Sequence, residues 1–414
     1  METAVDFSQD LPSHVPSELV ETFDLWNGEV ADDMFGALER LQDRAVAKGG
    51  LVYNPYLKIW WAGGLDLVRE IYQAPDLFSS RSLAGGIAEP GTPDLSAVLP
   101  FRLIPVVLDP PDHEHFKRLL TPLFATNVME KSRPFFVKTI VDAIEKFADK
   151  GQTEIVSSLT GRVPALTFTR MFGLPEERGP EYADWNHTLF RGQDPERSEA
   201  AGKIIGALTE LVERCRREPG DDLMSEVVNA TVNGQPVDSN DALGIGFLLW
   251  MASLDTTTSH LSFQFWHMAT HPEDQRRVRE NPELIPGAVE ECLRLYGTVN
   301  NGRILTRDTE FHGVKMLAGE KIGWASSAIG RDGTVFEDPN TFDPERSGNR
   351  HLAFGAGVHR CIGLHLARKM LILSMEELHR RVPPYRITEG MQAKPLSGLS
   401  LAFESIPISW DVEG

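Results

Sequence analysis

The sequence has little cysteine and no long apolar run. Only three of its 414 residues are cysteines, and Cys215, Cys292 and Cys361 lie far apart in the chain. An odd number of widely spaced cysteines excludes a disulfide framework and a zinc site built from several cysteines. The longest apolar stretch, from Gly246 to Leu254, is too short to span a bilayer.

Basic residues are scarce relative to acidic ones. The chain has 41 Lys and Arg against 60 Asp and Glu, a formal net charge of −19. This balance disfavours nucleic acid as a partner. The N-terminal segment METAVDFSQDLPSHVPSELV has neither the basic region nor the apolar region of a signal peptide. We therefore expect a cytoplasmic protein that binds neither nucleic acid nor a membrane, and we expect a monomer.

Internal repeats and low-complexity linkers are also absent. We expect a disordered segment over 1–15 and one domain over 16–414. Helical periodicity dominates the rest of the chain, with short strand patterns between the helices. The predicted helices are 65–73, 112–149, 154–172, 196–217, 239–271, 272–296 and 364–380, and the predicted strand regions are 51–62, 303–324 and 399–410. The predicted fold class is mainly α with small, mostly antiparallel β-sheets.

One cysteine stands in an unusual setting, the stretch FGAGVHRCIG. Cys361 precedes a predicted helix, whose unpaired N–H groups would lower the pKa of the thiol. Gly355 and Gly363 let the backbone approach a large flat group, and Phe354 can cover the sulfur. An inert, buried cysteine is the alternative interpretation. A cysteine hydrolase is disfavoured, because no His–Asp pair is placed to activate the thiol.

The spacing F-G-x-G-x-H-x-C-x-G resembles the haem-ligand loop of the cytochromes P-450. The resemblance implies the fold of that family, a triangular helical body with haem b between a long central helix and the cysteine loop. It also implies that Cys361 is the axial thiolate ligand of the haem iron. Phe354, Gly355 and Gly363 are then haem-binding residues.

Four cations match the positions at which this family binds the haem propionates. They are His113, Lys117, Arg303 and His359, and Lys117 stands where an arginine is more usual. A lysine keeps the charge but loses the bidentate fork of a guanidinium. Each of the four, taken alone, would be interpreted as an ordinary surface cation.

The stretch EECLRLYG contains an E-x-x-R pair. Glu291 and Arg294 lie three residues apart, within reach of a charge-assisted hydrogen bond on one helix face. Alone, such a pair is usually a solvated helix face. The family resemblance, together with the downstream FDPER, implies that Glu291, Arg294 and Arg346 form a buried structural network behind the haem.

An acid and three threonines interrupt the apolar helix in LLWMASLDTTTSHL. A carboxylate there is costly unless it has a partner or a function, although a capped or solvated Asp255 is the simple alternative. The resemblance implies that Asp255 and Thr256 are the acid–alcohol pair that relays protons to bound O2. It also implies that Arg191 pairs with Asp255. Ser253 stands near a position where glycine is common.

Within the family the chain is most similar to the bacterial camphor hydroxylase branch, in LPSHVPSELVETFDLWN, GRILTRDTEFHGV and SIPISWDVEG. Phe101 stands where that enzyme has a tyrosine that hydrogen-bonds the substrate ketone. A pocket without this hydroxyl would orient its substrate by shape. The resemblance implies a pocket formed by Phe101, Val106, Leu248, Met251, Ala252, Val299, Leu399 and Ser400, with Ser400 the polar contact. Each of these residues is equally compatible with an ordinary core position.

The implied activity is hydroxylation of an unactivated C–H bond of a small lipophilic terpenoid, such as a cyclic ether, an ionone or a bicyclic ketone or hydrocarbon. O2 is the implied co-substrate, and the electrons come from a [2Fe–2S] ferredoxin and its flavoprotein reductase. NAD(P)H and FAD act only through these partners, since the chain lacks a cysteine cluster and a dinucleotide fingerprint. A basic patch of Lys117, Arg118, Arg360, Arg368 and Lys369 is the predicted docking site, unless these cations are merely solvated.

Two alternative functions remain open from the sequence. One is a non-catalytic haem-thiolate sensor, which the Asp255–Thr256 pair disfavours. The other is a peroxide-driven peroxygenase, whose relatives usually place a different acid–base arrangement above the haem.

Overall fold

The computed structural model describes residues 11–26, 29–81, 87, 99–398 and 400–412. Helices dominate, as predicted. They are α1 (Glu29–Asp32), α2 (Met34–Ala47), α3 (Leu65–Gln73), α4 (Asp112–Leu120), α5 (Thr126–Ile144), α6 (Arg162–Phe172), α7 (Gly179–Arg191), α8 (Glu196–Arg217), α9 (Leu223–Val228), α10 (Ser239–Thr270), α11 (Pro272–Glu280), α12 (Ile285–Leu295), α13 (Ser326–Ile329) and α14 (Leu364–Arg381).

Short strands form small sheets beside the helices. They are β1 (Leu51–Asn54), β2 (Ile59–Ala62), β3 (Phe78–Ser79), β4 (Gln152–Glu154), β5 (Thr231–Val232), β6 (Gln235–Pro236), β7 (Asn300–Leu305), β8 (Thr309–Phe311), β9 (Val314–Met316), β10 (Lys321–Ala325), β11 (Tyr385–Ile387), β12 (Lys394–Leu396), β13 (Ala402–Ser405) and β14 (Pro407–Trp410). The largest sheet has the order β1-β2-β10-β7-β3, and its pairs are antiparallel except β2 with β10. The fold class is therefore as expected.

Two long helical predictions are wrong in their continuity. The predicted helix 112–149 is broken at 121–124, where Thr121–Phe124 forms a 3₁₀ turn that contains Pro122. The predicted helix 272–296 is broken at Asn281, which precedes the 3₁₀ turn Pro282–Leu284. Both breaks follow from proline, which lacks an N–H donor and restricts the residue before it.

Residues ahead of the predicted domain start belong to the folded body. Val15 is buried, and His14 Nε2 lies 2.9 Å from Glu320 Oε1. The predicted disordered segment 1–15 is therefore wrong for residues 11–15, while residues 1–10 lie outside the described part of the chain.

The central element of the body is α10. Its 32 residues span about 48 Å at the usual rise per residue. The Asp238 side chain caps its start by accepting from the backbone N–H of Asp241 at 2.8 Å. The three threonines do not open the helix, which is α-helical from Ser239 to Thr270. In the part of the chain that the structure describes, no helix has the length and apolarity needed to cross a bilayer.

Candidate functional site

The loop that carries Cys361 is shaped by glycine. Gly355 and Gly357 have φ values of +64° and +63°, which L side chains rarely adopt. A Cβ on Gly357 would lie 2.3 Å from the backbone oxygen of Tyr72, so only glycine fits there. The backbone N–H of Cys361 donates to the Phe354 carbonyl at 2.9 Å and closes the loop. The loop presents Cys361 exposed, whereas Cys215 and Cys292 are buried.

The thiol of Cys361 is not activated by the protein alone. The protein atoms around the loop desolvate the sulfur and raise the pKa of Cys361, although the Gly363 N–H and the charge of Lys117 lower it. The expectation that the helix N-terminus would lower this pKa is therefore wrong as a net effect. Helix α14 begins only at Leu364, three residues after the thiol. A metal ion at the sulfur would itself displace the proton.

Open space lies inside the body beside α10. Ala252 is exposed although it stands in the middle of the helix, between the buried Met251 and the partly buried Ser253. Helix α14, which follows the cysteine loop, packs against α10, and Ser253 shares a small cavity with Leu366. A large flat group between the central helix and the loop would need accessible residues on both sides. The exposed Ala252 and the exposed Cys361 meet this need.

Two of the four residues predicted to bind the propionates, His113 and His359, lie in direct contact. The His113 and His359 rings lie 4.2 Å apart, centroid to centroid, and the Arg303 guanidinium lies 5.3 Å from the centre of the Tyr72 ring. Lys117 Nζ donates to the Arg360 carbonyl. Among the described residues, neither Lys117 nor Arg303 has an ion-pair partner.

The electrostatics of these four residues indicate a missing anion. Burial lowers the pKa of His113 to about 4, with Lys117 adding to the effect, and burial lowers the pKa of His359 to about 2, with Arg303 adding to it. His113 Nδ1 and His359 Nε2 are buried without a partner in the described chain. Buried polar atoms without a partner are costly unless a ligand joins them, and Lys117 and Arg303 add positive charge beside the two imidazoles. Two carboxylates would meet this need, so the residues fit a haem with its propionates.

Asp255 is held from two sides. Arg191 Nη2 donates to Asp255 Oδ1 at 3.1 Å, so the predicted pairing is present. Ser400 Oγ donates to Asp255 Oδ2 at 2.8 Å. Thr256 Oγ1 donates to the Ala252 carbonyl at 2.7 Å, so the acid and the alcohol are not bonded to each other.

The predicted pocket residues separate into two groups. Phe101 is buried with its ring 5.7 Å from that of Phe247, a neighbour that the sequence reasoning missed. Met251 is also buried, whereas Val106, Leu248 and Val299 are half-buried. A Cβ on Gly244 would lie 1.9 Å from the Arg102 carbonyl, which shows how closely the Phe101 segment approaches α10. Leu399 lies outside the described residues.

Ser400, the predicted polar contact of the substrate, is bonded to Asp255. It is 4% exposed, and its hydroxyl already donates to Asp255. The sequence could not show this, because the two residues are 145 positions apart and meet only through the fold.

The E-x-x-R pair forms the expected buried network. Arg294 donates to both oxygens of Glu291 at 2.8 Å, and Arg346 Nε donates to Glu291 Oε2 at 3.1 Å. Arg294 also donates to the carbonyls of Gly330, Pro339 and Thr341, and Asn349 donates to Glu291. Glu291 and Arg294 are fully buried, and the network satisfies both charges.

The predicted basic patch is smaller than expected. Arg368 donates to both oxygens of Glu290 at 2.6 and 2.8 Å and lies 4.8 Å above the Phe354 ring. Lys369 pairs with Glu130. Inclusion of Arg368 as a free cation is therefore wrong, because its charge is neutralised inside a cluster that supports the cysteine loop. Arg360 is exposed, and Arg118 Nη2 lies 2.6 Å from His115 Nδ1.

Comparison with known proteins places this site in a family. The family model for cytochrome P-450 matches residues 180–381. The probable cytochrome P-450 127A1 of Sinorhizobium fredii is 32% identical over 311 residues, which cover 74% of this chain and 75% of that protein. Pentalenic acid synthase of Streptomyces avermitilis is 28% identical over 358 residues, covering 85% of this chain and 88% of its own length.

Solved structures share the whole fold. The crystal structure of CYP101C1 covers 97% of this chain and 100% of its own, with a TM-score of 0.88 and 28% identity. That of CYP101J2 covers the same shares, with a TM-score of 0.86 and 26% identity. The likeness to two CYP101 proteins agrees with the resemblance to the camphor hydroxylase branch. The chain belongs to the cytochrome P-450 family of haem-dependent monooxygenases.

Proposed function

We propose that the protein hydroxylates an unactivated C–H bond of a small lipophilic terpenoid, with O2 as co-substrate and two electrons from a [2Fe–2S] ferredoxin. The observation that carries this proposal is the exposed Cys361 near His113 Nδ1 and His359 Nε2, two buried ring nitrogens that have no hydrogen-bond partner among the described residues. We propose a single haem domain that includes residues 11–15, in a cytoplasmic, monomeric enzyme.

Haem, when bound, supplies the activation of O2 and the oxidation of the C–H bond, which no side chain of the chain could perform. Cys361 would ligate the iron through its thiolate. His113, Lys117, Arg303 and His359 would hold the propionates by charge-assisted hydrogen bonds. Phe354, Gly355 and Gly363 belong to the loop that surrounds the sulfur, and a Cβ on Gly363 would lie 3.8 Å from it.

Asp255 and Thr256 would transfer the protons that the reduction of O2 consumes. The carboxylate would take up a proton, and the hydroxyl would pass one on to a neighbouring water. In the observed geometry the Thr256 hydroxyl bonds to its own helix at Ala252, so it must rotate before it can act. Arg191 pairs with Asp255 and holds one of its carboxylate oxygens at 3.1 Å.

The pocket composition supports an apolar substrate. Phe101, Val106, Leu248, Met251 and Val299 carry no hydrogen-bonding group, and the hydroxyl of Ser400, the polar member of the predicted wall, donates to Asp255. Shape would then orient the substrate. Pentalenic acid synthase and a vitamin D3 dihydroxylase are among the relatives, and both are named for products or substrates of largely hydrocarbon character.

The ferredoxin would dock over the cysteine loop. Arg360 and Arg118, together with Lys117, provide the remaining positive charge on a protein whose net charge is −19. Arg360 is the residue to test, since it is exposed and directly precedes Cys361. Reversal of its charge should slow electron transfer without changing the haem spectrum.

The experiment that tests the proposal is a titration of the haem-loaded protein with camphor, β-ionone and a monoterpenoid cyclic ether. A substrate that displaces water from the iron shifts ferric haem from low to high spin. The bound compound should then be hydroxylated when NADH, a [2Fe–2S] ferredoxin and its reductase are added. Binding without NADH consumption would indicate a sensor, and turnover driven by peroxide alone would indicate a peroxygenase.

A further inference from the structure

One serine outside the central helix fixes the acid within it. Ser400 Oγ donates to Asp255 Oδ2 at 2.8 Å, while Arg191 Nη2 donates to Oδ1 at 3.1 Å. The Asp255 side chain is 12% exposed and Ser400 is 4% exposed. Because each carboxylate oxygen has its own donor, the two bonds together select one orientation of the carboxylate.

Ser400 is itself fixed by backbone pairing. It forms an antiparallel β-bridge with Val299, and the Leu401 N–H donates to the Thr298 carbonyl at 2.7 Å. The hydroxyl is therefore presented to α10 by a backbone that is anchored at Ser400 itself and at the next residue. A serine held in this way loses little further freedom when it binds the carboxylate.

The observed orientation points the acid away from its neighbour Thr256. Successive residues on an α-helix do not face each other, and Thr256 Oγ1 is already bonded to the Ala252 carbonyl. The Asp255 carboxylate must therefore break at least one of its two hydrogen bonds, or act through a bridging water, before it can transfer a proton to Thr256. The bond from Ser400 comes from a neutral donor, whereas that from Arg191 joins two charges.

The same orientation places the acid beside a second cavity. Asp255 lines a space of about 380 Å³ together with Arg162, Asn186, His187 and Glu404. Within the described residues, Arg162 Nε and Asn186 Oδ1 are buried without a partner. Unpaired polar atoms around such a volume are suited to hold water. In its held orientation Asp255 can therefore exchange protons with water on this side of α10.

We propose that Ser400 is a positioning residue that holds Asp255 in the orientation from which it takes up protons. This inference rests on the proposed function, in which Asp255 supplies protons to the reaction. It assigns Ser400 a contribution to turnover and none to substrate affinity.

The test compares haem-loaded wild type with Ser400→Ala, Ser400→Thr and the control Ser397→Ala. Ser397 lies on the same segment, but its hydroxyl is 3.3 Å from the Trp26 carbonyl rather than near the acid. Crystal structures report the orientation of Asp255. Turnover of β-ionone with NADH, ferredoxin and reductase, in H2O and in D2O, reports the proton step, and a spin-state titration reports β-ionone affinity.

In Ser400→Ala we expect Asp255 to occupy more than one orientation. We expect kcat to fall about tenfold or more, in line with the loss of one hydrogen bond to a charged group. The solvent isotope effect on kcat should rise, while β-ionone affinity stays the same. Ser400→Thr should restore kcat and the solvent isotope effect to their wild-type values. Ser397→Ala should behave as wild type.

An unmoved Asp255 in Ser400→Ala, with an unchanged solvent isotope effect, would overturn the inference. A change in β-ionone affinity alone would also overturn it, because Ser400 would then be a substrate contact. Failure of the proposed function gives a different pattern. In that case wild type and Asp255→Asn consume NADH equally or not at all, while the crystal structures still report whether Ser400 holds the acid.

Discussion

Replacement of Arg294 by leucine tests the buried network behind the cysteine loop. The change leaves Glu291, whose side chain is 1% exposed, with Arg346 and Asn349 as its remaining side-chain donors. It also removes a donor from the carbonyls of Gly330, Pro339 and Thr341, of which Thr341 keeps a donor in Arg346. Loss of one partner from a buried ion pair costs about 3–5 kcal/mol, mainly because the other charge stays buried.

The expected shift in the thermal unfolding midpoint follows from this free-energy cost and the entropy of unfolding. At about 2.1 cal/mol/K per residue, unfolding of 414 residues has an entropy near 0.9 kcal/mol/K, so Arg294→Leu should lower the midpoint by about 3–6 °C. Thermal unfolding followed by circular dichroism, with haem content measured in parallel, is the assay.

Arg276→Gln is the matched control. It removes an arginine with two carboxylate partners, Glu273 and Glu280, on an exposed helix face. Exposed pairs contribute little, so the midpoint should not change measurably. The reasoning is refuted if Arg294→Leu unfolds at the same temperature as this control and retains its haem.

Three further predictions concern the site. Thr256→Ala should divert electrons from product to peroxide, measured as peroxide formed per NADH, and unchanged coupling would count against the relay. Phe101→Tyr should tighten the binding of a ketone such as camphor, which a titration measures. It should also reduce the number of different products, which gas chromatography measures. Burial alone would raise the pKa of Glu290, but hydrogen bonds from His351 and Arg368 outweigh it and lower the pKa to about 2. Its stabilising contribution is thus present above pH about 4.5 and lost as the pH falls toward 2, so Glu290→Gln should flatten the acid limb of the stability curve.

The cysteine loop could be predicted because the residues that define it are close together in the sequence. Cys361, the glycines around it and His359 lie within a few residues, and the spacing alone indicates a haem ligand. The Glu291–Arg294 pair is local in the same way, since three residues on a helix bring both side chains to one face. The breaks at Pro122 and Pro282 are local in origin too, since each proline lacks the N–H donor that a continuous helix needs.

Contacts between distant segments could not be predicted. Ser400 and Asp255 are 145 positions apart, and only the bridge between Val299 and Ser400 brings the hydroxyl to the acid. Arg368 was assigned to a surface patch because its charge was known, whereas its partner Glu290 lies 78 positions away. The net pKa of Cys361 likewise depends on the atoms that the fold packs around it, and no spacing in the sequence specifies these.

The most direct test of the account is the absorption spectrum of the reduced, haem-loaded protein under carbon monoxide. A thiolate from Cys361 on the iron predicts a strongly red-shifted Soret band, and Cys361→Ala should abolish this band. A wild-type protein that binds no haem, or whose Soret band under carbon monoxide is the same as that of Cys361→Ala, would contradict the assignment of Cys361 as the iron ligand.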